Sequence, residues 1–189
     1  TIEKIKPNLV INAVGVVKQI CLAPLPAITL NSLFPNQLAQ ICDKNNAKLI
    51  QISTDCVFSG KKGNYSEEDI SDAEDLYGKT KFLGEITYGT HLTIRTSIVG
   101  RELKTNHGLV EWFLSQKEKT NGYTKAIFTG LTTAEIGRIL VEISQKPEIK
   151  GLLNIGTEKI DKYSFVKLVQ KEFGKKDIQI ERYDEFVCD

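Results

Sequence analysis

The chain has no methionine, a single tryptophan and only two histidines in 189 residues. Its four cysteines, Cys21, Cys42, Cys56 and Cys188, are widely spaced and form no Cys-x-x-Cys pair. Only His91 and His107 could join them as ligands, so no metal site is expected, and free thiols in a reducing cytoplasm fit the pattern. There is no block of basic residues and the net charge is +1. That leaves no electrostatic footprint for nucleic acid or a membrane surface, and neither is expected as a partner. No apolar run approaches membrane-spanning length, and the start Thr1-Ile2-Glu3-Lys4 lacks the basic-then-apolar layout of a signal peptide. The missing initiator methionine suggests a chain cut from a longer one. What is present, 41% hydrophobic and 26% charged residues, is the balance of a soluble globular protein with one sizeable core or two small ones.

Apolar runs alternate with helical periodicity through the first hundred residues. Leu9 to Ala13 reads as a buried strand ending in the small-residue turn Asn12-Ala13-Val14-Gly15. Pro26 to Asn45 follows as a helix, with Leu33, Leu38, Ile41 and Cys42 at helical spacing and Pro35 marking a kink or a late start. Leu49 to Ile52 is a second strand, Phe58 to Asp75 a polar, acidic loop, Leu76 to Thr87 a helix, and His91 to Gly100 a third strand. Strand, helix, strand, helix, strand is the order of a parallel sheet with right-handed crossovers. Ligands bind such sheets outside the carboxyl ends of the strands. The clusters Asn12 to Gly15, Ser53-Thr54-Asp55 and Thr96-Ser97 each follow an apolar strand, so all three should face one crevice.

After Gly100 the character changes. The expected elements are a helix over Gly108 to Lys119 carrying Trp112, a helix opened by the capping-box spacing Thr132-Thr133-Ala134-Glu135, a strand over Gly151 to Gly156, a helix over Tyr163 to Phe173 stopped by Gly174, and a short strand Ile178 to Ile180. The division expected is residues 1–100 as the dinucleotide-binding part with the catalytic residues, and 101–189 as a smaller α/β substrate-binding region intertwined with it.

One stretch reads as chemistry. If Tyr77 lies on a helix, Lys81 is one turn further along the same face, where an ammonium would favour the phenolate. Thr54, at the end of a buried strand, could offer a hydroxyl to the same oxygen, giving a site that moves a proton to or from an oxygen on a reacting carbon. The spacing Tyr-x-x-x-Lys occurs again at Tyr163 and Lys167. No strand-end hydroxyl precedes that copy, and Phe165, Leu168 and Val169 make it an ordinary amphipathic helix capped by Asp161.

Ser53-Thr54-Asp55-Cys56-Val57-Phe58-Ser59-Gly60, then Tyr77-Gly78-Lys79-Thr80-Lys81 with Gly84-Glu85, then Arg95-Thr96-Ser97, resemble the extended short-chain dehydrogenase/reductases, and among them the dTDP-4-dehydrorhamnose reductase branch. The resemblance implies a Rossmann-like doubly wound parallel sheet. It implies Thr54, Tyr77 and Lys81 as catalytic residues, and Asn12, Ala13, Val14, Gly15, Ser53, Thr96 and Ser97, with Tyr77 and Lys81, as the cofactor contacts. Asp55, Cys56, Arg101 and Trp112 become the substrate contacts, and Gly130-Leu131-Thr132-Thr133 stands where a substrate-domain signature falls. The cofactor implied is NADP or NAD, with NADPH favoured. The partner implied is a nucleotide sugar whose C4 ketone is reduced, in deoxysugar and polysaccharide biosynthesis, and a homo-oligomer is compatible.

Three departures stand out: Cys56 replaces a tyrosine, Val14 replaces an alanine, and nothing before Asn12 can be the glycine-rich turn that holds a pyrophosphate. The chain is therefore expected to be a fragment cut at both ends, with roughly 60 to 90 further residues upstream to complete a dinucleotide fold. Two other readings stay open. One is a nucleotide-sugar epimerase or dehydratase on the same scaffold, and the other a non-catalytic regulator similar to the methionine adenosyltransferase β subunit.

Overall fold

The computed structural model describes residues 2–189. Helix α1 (Ile2–Ile5) leads into β1 (Leu9–Asn12), and a short 3-10 turn at Lys18–Ile20 precedes α2 (Pro24–Ala27), a π-helical stretch (Ile28–Leu33) and α3 (Phe34–Lys44). Then come β2 (Lys48–Ile52), α4 (Leu76–Leu83), β3 (Leu92–Arg95), β4 (Ile98–Val99), α5 (Leu109–Leu114), β5 (Lys119–Phe128), β6 (Leu131–Thr132) and α6 (Thr133–Ser144). The chain closes with β7 (Gly151–Asn154), β8 (Ile160–Asp161), α7 (Lys162–Glu172) and β9 (Gln179–Cys188). Among the described residues no helix is long and apolar enough to cross a membrane.

Two compact units are interleaved along the sequence rather than divided by a single cut near Gly100. Residues 2–59, 65–96 and 137–155 make the first, and 60–64, 97–136 and 156–189 the second.

The first unit is a four-stranded, fully parallel sheet in the order β1-β2-β3-β7. Its two faces are built differently. Ile50, Ile52, Leu92 and Ile94 pack against Ile143 of α6 in an apolar layer. Side chains one residue out of phase point the other way. There Leu49 meets Leu38, Ala39 and Cys42 of α3, and Ile86. The rest of that face is polar and buried: Gln51, Ser53, Thr93 and Arg95 are all at most 5% exposed. These groups are answered locally, as buried polar atoms must be. Asn12 Nδ2 donates to Gln51 Oε1 at 2.7 Å, and the Thr93 hydroxyl donates to Ile86 O at 2.9 Å while accepting from Ile86 N at 2.8 Å.

The helical path from Pro24 to Lys44 is continuous, and Pro35 breaks nothing. A proline cannot donate to the carbonyl four residues back and its ring clashes with it. The wider π turn over Ile28–Leu33 lies ahead of Pro35, and the Asn31 carbonyl lies against Gly84, where a Cβ would sit 1.8 Å from Asn31 O. Gly84 is also where α4 stops, several residues short of the Thr87 expected from periodicity.

The third predicted strand is likewise cut short. Its ladder ends at Arg95, and Ile98–Val99 pairs with β6 in the second unit instead.

In the second unit β5 is the centre of a β8-β5-β9 sheet, antiparallel to β8 and parallel to β9, with an irregularity between Tyr123 and Lys125. Phe113 is fully buried among Val99, Val110, Val166, Val169, Ile178 and Ile180. Helix α5 ends at Leu114, so the predicted helix to Lys119 is too long, and the predicted strand at Ile178 to Ile180 is too short, since pairing with β5 carries it on to Cys188.

The glycines give a paired test. Gly84→Ala should lower the unfolding free energy by about 2 kcal/mol or more, because backbone has to shift. Gly137→Ala, inside α6 with open space around it, should raise it by about 0.5–1 kcal/mol. Urea unfolding measures both, and equal effects would contradict the packing described.

Candidate active site

Because β1, β2 and β3 run parallel, Asn12, Ser53-Thr54 and Thr96 all lie at the same carboxyl end of the first unit's sheet. Thr54 is the N-cap of the 3-10 turn Asp55–Val57; its Oγ1 accepts from Cys56 N at 3.1 Å and donates to Asp55 Oδ1 at 3.2 Å. Helix α4 starts at the Asp75 cap, whose carboxylate accepts from Gly78 N at 2.8 Å. It crosses so close to the 3-10 turn that a Cβ at Gly78 would meet Cys56 O at 2.3 Å. Only glycine lets Tyr77 approach Thr54 in this way.

The Tyr77 phenol is pushed up to about 12, first by burial. The neighbouring Thr54 hydroxyl works in the opposite direction, and Cys56, Asp55 and Cys21 add to the upward shift. Lys81, one helical turn beyond Tyr77, is anchored on the strand. Lys81 is 7% exposed and its Nζ donates to Ile52 O at 2.7 Å, at the end of β2. Burial brings Lys81 itself down to about 8, against an upward pull from Glu85.

The predicted cofactor contacts gather on the same edge. Asn12 Oδ1 accepts from Val14 N at 3.1 Å, closing the turn through Ala13 and exposing Val14. Gly15 lies where a Cβ would come within 2.9 Å of Asn31 Oδ1 and 3.8 Å of Lys81 Nζ. Ser53 and Thr96 are buried. Ser97 is the first residue after the break and belongs to the second unit, where its carbonyl accepts from Leu131 N.

The predicted substrate contacts are spread more widely. Asp55 and Cys56 flank Thr54, and burial raises the Cys56 thiol to about 11. In the second unit Trp112 lines a cavity of about 330 Å³ with Tyr123, Phe186 and Asn121, whereas Arg101 lines another of about 470 Å³ with Phe165 and Phe173. Arg101 is exposed, ion-paired with Glu111, and lies over the Phe173 ring. At the second Tyr-x-x-x-Lys copy the Tyr163 ring carries Arg182 on its face at 4.9 Å and lies against Gly122.

Three residues to which the sequence assigned no role hold the site together. Asn31, in the π turn, accepts from Val16 N at 2.8 Å and donates to Val16 O at 3.1 Å and Thr80 Oγ1 at 3.2 Å, tying the Gly15 turn to α4. Glu85 accepts from Ser53 Oγ at 2.8 Å and from Arg95 Nε and Nη2 at 2.7 Å each. Arg95 lies 4.9 Å from the centroid of Phe58, which stacks on Tyr65. Glu85 was within reach of pattern reasoning, since Tyr77, Lys81 and Glu85 recur at a spacing of four. Asn31 carried no such signal.

The parallel, Rossmann-like sheet places Thr54, Tyr77 and Lys81 near the carboxyl end of β2. The family model described as RmlD substrate binding domain matches residues 1–185, and the chain belongs to that family. It is 31% identical to dTDP-4-dehydrorhamnose reductase of Aggregatibacter actinomycetemcomitans over 153 residues, covering 77% of this chain and 52% of that protein. A shorter stretch of 62 residues is 45% identical to methionine adenosyltransferase 2 subunit beta of Bos taurus, covering 33% of this chain and 19% of that protein. Among solved structures, dTDP-4-dehydrorhamnose reductase of Bacillus anthracis in complex with NADP superposes with a TM-score of 0.84 at 19% identity, covering 97% of this chain and 69% of that one. At that identity the match shows the shared fold. The chain spans about half the length of the curated reductases it matches.

Lys81 makes a signed prediction. Between about pH 8 and its ordinary value of 10.5 the unfolded chain binds a proton that the folded chain does not, so stability rises with pH across that window. Relative to Lys81→Met, the unmodified protein should gain on the order of 2 kcal/mol from pH 7.5 to pH 10, measured by urea unfolding at each pH. A flat difference would place the ammonium in solvent.

Proposed function

We propose that the protein carrying this chain reduces the C4 ketone of a nucleotide-linked 6-deoxy-4-keto sugar with a nicotinamide dinucleotide, NADPH in preference to NADH. The observation that carries this reading is the Thr54–Tyr77 pair at the end of β2, with the Lys81 ammonium fixed one helical turn beyond Tyr77.

The residues present fit the nicotinamide-ribose end of such a cofactor. At Gly15 the backbone turn has no room for a side chain beside a buried ammonium. That ammonium has three donors, and one is engaged by Ile52 O. Lys81, with Ser53 and Asn12 nearby on the same edge, would hold ribose and carboxamide groups. When bound, the reduced nicotinamide supplies the two electrons and the hydrogen that go to carbon.

The chain supplies the proton and the geometry. A phenol held near 12 is fully protonated at neutral pH, which is the state a general acid needs in the direction of reduction. Tyr77 would deliver its proton to the carbonyl oxygen as negative charge builds there, and Thr54 would hydrogen-bond the same oxygen. Asp55 and Cys56, adjacent to Thr54, would touch the sugar. Within the second unit, Trp112, Tyr123 and Phe186 offer aromatic faces of the kind a base covers.

A second reading, a non-catalytic regulatory subunit, is favoured by one observation, the stretch similar to methionine adenosyltransferase 2 subunit beta. Kinetics separate the two. Tyr77→Phe keeps the ring and removes the acidic oxygen, so kcat on a 4-keto-6-deoxy nucleotide sugar should fall by about a hundredfold or more with cofactor affinity unchanged, while Tyr163→Phe is silent. Absence of turnover in the unaltered protein would favour the regulatory reading.

A further inference from the structure

Glu85 sits just past the end of α4, on the face that carries Tyr77 and Lys81, and it is 4% exposed in its side chain. Its carboxylate receives three donors: Ser53 Oγ at 2.8 Å, and Arg95 Nε and Nη2 at 2.7 Å each. Ser53 lies between the two residues that matter for the proton. Ile52, before it, presents the carbonyl that anchors Lys81 Nζ, and Thr54, after it, presents the hydroxyl at Tyr77. The carboxylate therefore grips the one residue between both anchor points, from the helix that also supplies Tyr77 and Lys81.

This pair is a poor device for stability. Two charges are desolvated together, and a well-packed apolar pair of similar volume is often as stable or more so. Arg95 Nη1 has no hydrogen-bond partner and is buried, which adds a further cost. A buried ion pair that leaves a donor unanswered is better explained by what it positions.

We propose that Glu85, locked by Arg95, is a positioning residue for the reduction: it fixes the carboxyl end of β2 against α4, and so sets where the Lys81 ammonium and the Thr54 hydroxyl stand relative to Tyr77. The charged and titratable groups facing Lys81 are few. Glu85 and Tyr77 lie along its own helical face, Arg95 stands on β3 with its charge met by Glu85, and Asp55 and Cys56 follow β2. Cys21 adjoins Thr80, and the Lys18–Asp75 ion pair at 2.8 Å closes the start of α4. Glu85 is the one whose charge acts on Lys81.

The role rests on the reductase reading, but half of its test does not. With lysines dimethylated by carbon-13 reagent, the Lys81 methyl signal, identified by its loss in Lys81→Arg, reports that amine's titration without turnover. In Glu85→Gln it should titrate roughly one unit lower than in the parent protein. In Glu85→Met/Arg95→Met, which keeps the volume apolar and guards against simple unfolding, the urea midpoint should stay at or above the parent value. In steady-state assays both variants should lose about tenfold or more in kcat, with the nucleotide-sugar KM within about twofold. An unmoved Lys81 titration in folded Glu85→Gln overturns the positioning role whether or not the protein is a reductase. A moved titration with no loss of kcat overturns it as well. If the parent protein shows no turnover, the reductase reading fails by itself, and the titration alone decides whether Glu85 sets Lys81.

Discussion

The hydrogen bond from Lys81 Nζ to the Ile52 carbonyl is the contact on which the first unit's architecture turns. An ammonium at the end of a buried strand is costly, and burial drives Lys81 down to about 8. Every neighbour reflects that cost. Gly78 and Gly84 let α4 come close enough to place the amine, Glu85 supplies an opposite charge, and Arg95 answers Glu85 from the next strand. A sheet face that would otherwise be filled by aliphatic side chains is given over to Gln51, Ser53, Thr93 and Arg95. On the opposite face, Ile50, Ile52, Leu92 and Ile94 pack against Ile143 of α6.

The same arrangement divides labour among groups that look alike in a motif. Tyr77 is raised and Lys81 is lowered, each first by burial. The phenol's partner is Thr54, and the amine's is the backbone of β2. Because Thr54 and Ile52 are separated only by Ser53, a single carboxylate holding Ser53 reaches both. The π turn performs a comparable task on the other side, where Asn31 joins the Gly15 turn to Thr80 of α4. Irregular helical turns of this kind recur at functional sites because they aim a side chain that a regular helix would turn away.

Much of this was legible in the sequence. Aliphatic strands ending in small polar residues, at Asn12 and at Ser53-Thr54, identified the parallel sheet and its working edge, because burial on both faces forces continuous apolar runs. The Thr54, Tyr77 and Lys81 set could be read because its spacing has a geometric meaning. Where the reading failed, tertiary contacts overrode local pattern. Apolar periodicity beyond Gly84 and beyond Arg95 runs on, but the elements stop where a close helix contact or a change of unit ends them. Strand β5 was missed and β9 was truncated because their pairing with each other, not their mixed and highly charged composition, makes them strands. Arg95 could not be assigned a role from sequence, since its partner Glu85 meets it only once α4 is folded over the sheet.

In the proposed reduction, Tyr77 and Thr54 would deliver a proton to a sugar oxygen while hydrogen arrives at the adjoining carbon. The most direct measurement is to incubate the protein carrying this chain with a 4-keto-6-deoxy nucleotide sugar and nicotinamide cofactor deuterated at the transferable position, then locate the label by NMR. One deuterium at sugar C4, on a single face, with the label lost from the cofactor in equal amount, is the result expected. Full retention of the label by the cofactor, or its appearance at a carbon other than C4, would contradict the assignment of Thr54, Tyr77 and Lys81 to carbonyl reduction.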